Sequence, residues 1–142
     1  MRAVLIIVVI VGLGGLAYWL TMTSGKRVAQ EDEGATSAIA EVVLPESLST
    51  NAQIGKTAFE AKCAACHGIN AVGQDGIAPP LVHKIYEPSH HGDEAFQRAV
   101  SGGVRQHHWS FGNMPAIEGL TRGDVAMIIA YVRELQQVNG IH

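Results

Sequence analysis

An all-α fold is what this sequence predicts, a small helical domain preceded by a single N-terminal transmembrane helix. Three observations carry that reading. Arg2 is followed by eighteen uncharged residues, Ala3 to Leu20, rich in Val, Ile and Leu. Thr121-Arg122-Gly123-Asp124 has the form of a capping box, and behind it Val125, Ile128, Val132 and Leu135 recur at helical spacing. Cys63-Ala64-Ala65-Cys66-His67 sets two thiols one helical turn apart, with an imidazole directly after them.

The last pattern is the attachment signature of a c-type haem. Each thiol can add across a haem vinyl group, and the histidine that follows is placed to bind the iron. Rival readings are weaker. A structural zinc site needs about four ligands, usually from a second Cys or His pair, and the chain has two cysteines in all. A thioredoxin-type pair belongs at a strand end in a βαβ unit, which the sequence does not suggest. A disulfide closed across two residues would be strained.

Further motifs surround this one. Gly55 and Phe59 precede it, Ala78-Pro79-Pro80-Leu81 follows it, then come Gly112-Asn113-Met114-Pro115 and Ile128-Ile129-Ala130-Tyr131-Val132. Taken together these residues, about 51 to 142, resemble the class I (mitochondrial and bacterial type) cytochromes c. With the apolar leader added, the chain resembles a monohaem, membrane-anchored bacterial cytochrome c. The resemblance implies a cytochrome c fold of about three to four helices around one covalent haem c per chain. It implies that Cys63 and Cys66 attach the haem and that Leu81 touches its face. It also implies that His67 and Met114 ligate the iron, with the Pro79 carbonyl accepting the Nδ1 proton of His67. Such outer bonds fix a ligand's orientation and basicity.

Composition agrees with one domain plus an appendage for 142 residues. A net charge of −3 gives no reason to propose a nucleic-acid partner. The charge is uneven: residues 21–50 hold two basic and five acidic residues, whereas 51–142 hold seven and eight. Three Phe, two Trp and three Tyr make a modest core, a deficit that a flat apolar porphyrin would fill.

Taken in order, Ala3–Leu20 as a helix spans about 27 Å, close to the hydrocarbon thickness. Tyr18 and Trp19 suit the far interface, and Lys26 and Arg27 mark the return to water. The competing reading is a cleaved signal peptide with Thr23-Ser24-Gly25 as its site. Residues 1–24 are thus assigned as the anchor, 25–50 as a flexible linker and 51–142 as the haem domain. A flexible linker of that length reaches roughly 30 Å. Within the linker, Val42-Val43-Leu44-Pro45 is an apolar island expected to pack on the domain edge.

A helix from about Asn51 leads into the haem motif, with Ile54, Ala58 and Ala61 on one face and Gly55 and Phe59 beside them. Gly in a helix interior costs up to about 1 kcal/mol; the resemblance implies that Gly55 lets the closing helix cross at close range. Residues 68–76 are a glycine-punctuated loop. Asp93 to Ser101 is a short helix with Phe96 and Val100 inward, ended by Gly102-Gly103. The closing helix runs to about Gln137, and Tyr131 is expected to meet Phe59.

Two further groups bear on chemistry. His107 and His108 stand just upstream of Met114 and offer an alternative, bis-histidine ligation; Met127 is read as core and Met22 as tether. The pairs His90-His91 and His107-His108, with His83, exceed what the resemblance requires: they are solvent-exposed loop residues, a second metal site with copper as one candidate, or a proton-coupled contact near the haem edge. Trp109 and Arg105 are candidates to hydrogen-bond a haem propionate, the alternatives being core packing for Trp109 and a solvated surface role for Arg105.

No nucleophile, carboxylate pair or phosphate loop stands out, so the expected role is electron transfer rather than catalysis. The expectation is a carrier in the inner (cytoplasmic) membrane, single-pass, with its haem domain in the periplasm. It would take electrons from a quinol-oxidising complex or dehydrogenase and pass them to an oxidase or reductase. The alternatives are a fixed cytochrome subunit of a membrane dehydrogenase, oxidase or reductase complex, or a haem-based sensor or peroxidase should Met114 dissociate.

Overall fold

The computed structural model describes residues 37–142. The predicted anchor and the first part of the predicted linker lie outside the described residues, and among those described no helix is long and apolar enough to cross a membrane. Four α-helices make the domain: α1 Thr50–Lys62, α2 Ala64–His67, α3 Asp93–Gly102 and α4 Arg122–Val138, with single 3-10 turns at Ile69–Ala71 and Lys84–Tyr86. No strand forms among the described residues; isolated bridges join Gln74 to Ala78 and Val104 to Met114.

Helix α1 starts at Ser49, whose hydroxyl accepts from the Ala52 N–H and in turn donates to the Glu134 carboxylate of α4. One residue thereby caps the first helix and ties it to the last. The inner face of α1 is Ala52, Gly55 and Phe59. Of the face that the sequence marks by Ile54, Ala58 and Ala61, Ala58 is half-buried against the core, Ala61 is exposed and Ile54 is 54% exposed. The cause is Gly55. A Cβ there would run into the backbone carbonyl of Met127, so Gly55 is turned squarely at α4, and its neighbour Ile54, about 100° further round, is left in water. The same crossing brings the Phe59 and Tyr131 rings to 5.6 Å, tilted by 59°, an arrangement worth about 0.5–1.5 kcal/mol beyond burial.

Helix α4 carries the capping box, Thr121 bonding to Asp124 and Asp124 reaching back to Thr121. Val125, Ile128, Val132 and Leu135 are all buried. Met127, expected in the core, is half-buried and contributes its carbonyl to the crossing. The Tyr131 hydroxyl donates to Asn70 Oδ1 at 3.0 Å, which stitches α4 to the loop after the haem motif. Asn70 is left-handed at φ 58°, a conformation its short polar side chain tolerates.

Helix α3 buries Gln97, whose amide donates to the Arg122 carbonyl at the start of α4. Phe96 and Val100 are only half-buried by protein, and both line a cavity described below.

Residues 37–49 run along the domain, although the sequence reading placed them in the flexible linker. Ile39 and Ala40 donate to the Val72 carbonyl, Asp75 donates to Ser37, and the Asn139 amide bonds both backbone groups of Val43. Val42 packs on the core while Val43 and Leu44 are exposed. A stretch with satisfied backbone groups and one buried anchor behaves as part of the domain.

Gly55→Ala is expected to cost about 3 kcal/mol of stability, because the added methyl group must push two helix backbones apart; denaturant unfolding of the haem-loaded protein measures it. A second prediction concerns acid. Hydrogen bonds from the Thr121 hydroxyl, then its backbone, hold the Asp124 carboxyl below its ordinary 3.8. A depressed folded pKa means that the stabilisation is complete above the ordinary value and vanishes as pH falls through the lowered one. Asp124→Asn should therefore lower the melting temperature at neutral pH and show a smaller further loss on acidification, read by thermal melts across the acid range.

Candidate functional site

The two cysteines and the histidine stand where α1 gives way to α2. Cys63 lies between the helices, half-buried, and Cys66 is exposed; the two thiols are free rather than bonded to each other. Burial, then the neighbouring Cys66, pushes the Cys63 thiol up to about 11. Gly68, at φ 72°, ends α2, and the Gln74 amide donates to the carbonyls of Ala64 and Ala65. The loop thus caps the short helix that carries the motif.

That loop also returns Pro79 to the histidine. His67 Nδ1 donates to the Pro79 carbonyl at 2.9 Å, which fixes the tautomer and leaves Nε2 as the nitrogen available to a metal. Burial lowers the His67 pKa, with the Pro79 bond opposing it, so the ring is held in the neutral form that ligates metals.

Met114 is presented by a second loop. Val104 and Met114 exchange backbone hydrogen bonds of 2.9 and 3.0 Å, and inside them Asn113 Oδ1 accepts from Gln106 N while Gln106 Oε1 accepts from Gly112 N. The loop leaves α3 through Gly103, at φ 73°, where a Cβ would come within 2.5 Å of the Met114 carbonyl oxygen. Only glycine meets both demands.

Cys63, Cys66, His67, Pro79, Leu81 and Met114, which the sequence singled out one by one, all line one cavity of about 550 Å³. Apolar groups from three helices complete its wall, Phe59 from α1, Phe96 and Val100 from α3 and Ile128 from α4. Trp109 and Arg105 line it too, and the Trp109 indole N–H is buried without a hydrogen-bond partner. Burial pushes the nearby Tyr86 phenol up to about 12, with Trp109 opposing it. A large apolar slot with two thiols, an oriented imidazole and a thioether on its walls, and an indole donor still to be satisfied, fits a haem with its acidic substituents.

Met127 is absent from this lining, as is His90, whereas His107 and His108 belong to it. His83 is not part of the histidine group: its Nδ1 accepts from Ile85 N and its ring lies edge-on to Trp109. The other four histidines come together at the cavity rim. Desolvation, then His107, His91 and His90, lowers the pKa of His108.

Sequence reasoning missed Tyr86 and the pair that holds it. Arg133 donates to the carbonyls of Tyr86 and His91, to Asp93 and to Gln136 Oε1, and its guanidinium lies 5.0 Å from the Phe96 ring centre. Gln136, fully buried, donates to the carbonyls of Leu81 and Tyr86. The signal was present: two long polar residues, three apart, interrupt the apolar face of α4.

Comparison with known proteins agrees with this site. The cytochrome c family model matches residues 52–136. Cytochrome c550 of Pseudomonas aeruginosa is 43% identical over 54 residues, which is 37% of this chain and 35% of that protein. The chain therefore spans about a third of the length of the curated relative it matches. With the family matched across the helices that build the cavity, the chain belongs to the cytochrome c family, and its cofactor is covalently bound haem c.

Proposed function

We propose that this protein is a membrane-tethered carrier of single electrons, with haem c ligated by His67 and Met114. The observation that carries the reading is the bond from His67 to the Pro79 carbonyl, in a cavity that Met114 also lines. Haem c supplies a one-electron ferric–ferrous couple. The polypeptide's part is positional. Cys63 and Cys66 would attach the group, burial keeps the imidazole neutral while Pro79 aims it, and Met114 would offer a soft thioether that raises the potential. Phe59, Phe96, Val100 and Ile128 keep water away, which limits rearrangement when charge changes. Cys66 and Ile77 line the cavity and are exposed, which supports an edge reachable by a partner.

With His67 and Met114 both as ligands the iron would keep no position for a substrate, which supports a carrier rather than an enzyme. The apolar run Ala3–Leu20 supports a single-pass anchor in the inner (cytoplasmic) membrane, with the haem domain in the periplasm. Electrons would come from a quinol-oxidising complex or dehydrogenase and leave to an oxidase or reductase. Tethering raises the effective concentration toward about millimolar, which suits weak, transient contacts.

Met114→His should lower the midpoint potential by on the order of 0.2 V, within the span of about 0.8 V that axial ligands cover, while the protein still folds and binds haem. An unchanged potential in a redox titration would remove Met114 from the iron. For the carrier itself, the protein is expected to stay with membranes through alkaline washing and then to leave mild detergent extracts alone. Recovery in fixed proportion with another redox protein would make it a subunit instead.

A further inference from the structure

His90 and His91 precede α3, and His107 and His108 follow it, seventeen positions further along the chain. The fold closes that distance. His90 Nε2 and His108 Nε2 are 3.3 Å apart, and one ring nitrogen from each of His90, His91 and His108 lies within 4.8 Å of the others. His107 packs against both neighbours, its ring centre 4.3 Å from that of His108 and 5.9 Å from that of His91.

We propose that His90, His91 and His108 form a binding site for a divalent transition-metal ion of the zinc class, at the rim of the haem cavity. Three features of the geometry support it. Two nitrogens bound at 2.0–2.1 Å to one tetrahedral ion stand about 3.3 Å apart, the separation of the His90 and His108 nitrogens. The third imidazole is already oriented: His91 Nδ1 donates to the Ile85 carbonyl at 2.6 Å, which leaves Nε2 with its lone pair free. A backbone carbonyl on the far nitrogen is the usual support of a metal-binding histidine. His107 has the same arrangement, its Nδ1 donating to the Arg105 carbonyl at 2.9 Å.

The scaffold is prepared as well. The His90 and His91 N–H groups both donate to the Glu87 carbonyl, and Arg133 Nη2 donates to the His91 carbonyl at 2.6 Å. The segment bearing two of the ligands is therefore pinned to α4 before any ion arrives. His90, His91 and His108 would fill three corners of a tetrahedron, with solvent at the fourth. Three imidazoles with no carboxylate among them select a borderline ion such as zinc over calcium or magnesium, which require oxygen.

The test uses the haem-loaded protein without a polyhistidine tag, stripped of metal with a chelator and titrated with zinc chloride by calorimetry. One zinc per chain is expected, with micromolar or tighter affinity. His90→Gln and His108→Gln should each weaken it at least about tenfold, with the parent's far-ultraviolet circular dichroism and cooperative unfolding as the record of a folded protein. The control is His142→Gln, at the C-terminus and outside the cluster, which should bind as the parent does. No saturable binding in the parent, undiminished binding in His90→Gln and His108→Gln, or an equal loss in His142→Gln would each overturn the proposal.

Discussion

The closeness of α1 to α4 at Gly55 is the constraint on which the other contacts depend. Because no side chain stands between the Gly55 backbone and the Met127 carbonyl, the two helices approach to backbone distance. That approach sets the rotation of α1, the meeting of Phe59 with Tyr131 and the position of Cys63, one turn beyond Phe59. The haem motif is thus the continuation of a helix whose rotation is decided by a glycine two turns earlier. Ser49 and Glu134 hold the same pair of helices at the other end.

The cavity depends on a different physics. Its walls come largely from loops, which carry no periodic hydrogen bonds and need other partners. Helix α4 supplies them from one edge, where Arg133 and Gln136 satisfy the carbonyls of Leu81, Tyr86 and His91. Such a charge, only 12% exposed and bonded on every side, adds more definition than energy, since the desolvation of its guanidinium offsets much of what the bonds contribute. The gain is a loop of fixed shape, from which His67 receives its partner at Pro79 and His91 its partner at Ile85.

Legibility in the sequence followed the range of the interaction. The capping box at Thr121 and Asp124, the apolar stripe of α4 and the haem motif involve neighbours within a turn or two, and all were read correctly from residue order. The purpose of Gly55 was legible too, through resemblance. The inner face of α1 was not: Ile54 looks like a core residue by hydropathy, and only the demand of Gly55 for contact turns it outward. Residues 37–49 read as a tether because their composition is polar and small, while their attachment rests on backbone bonds that composition does not record.

Covalent chemistry was therefore decided by the sequence alone, because thiols two residues apart and an adjoining imidazole are set by chain spacing whatever the rest of the fold does. Tertiary structure alone decided what converges. Pro79 onto His67, Met114 into the same cavity as Cys63, and His90 against His108 are meetings of distant segments. Their geometry follows from how helices pack and where loops are anchored, a property of the whole chain that no local pattern of residues contains.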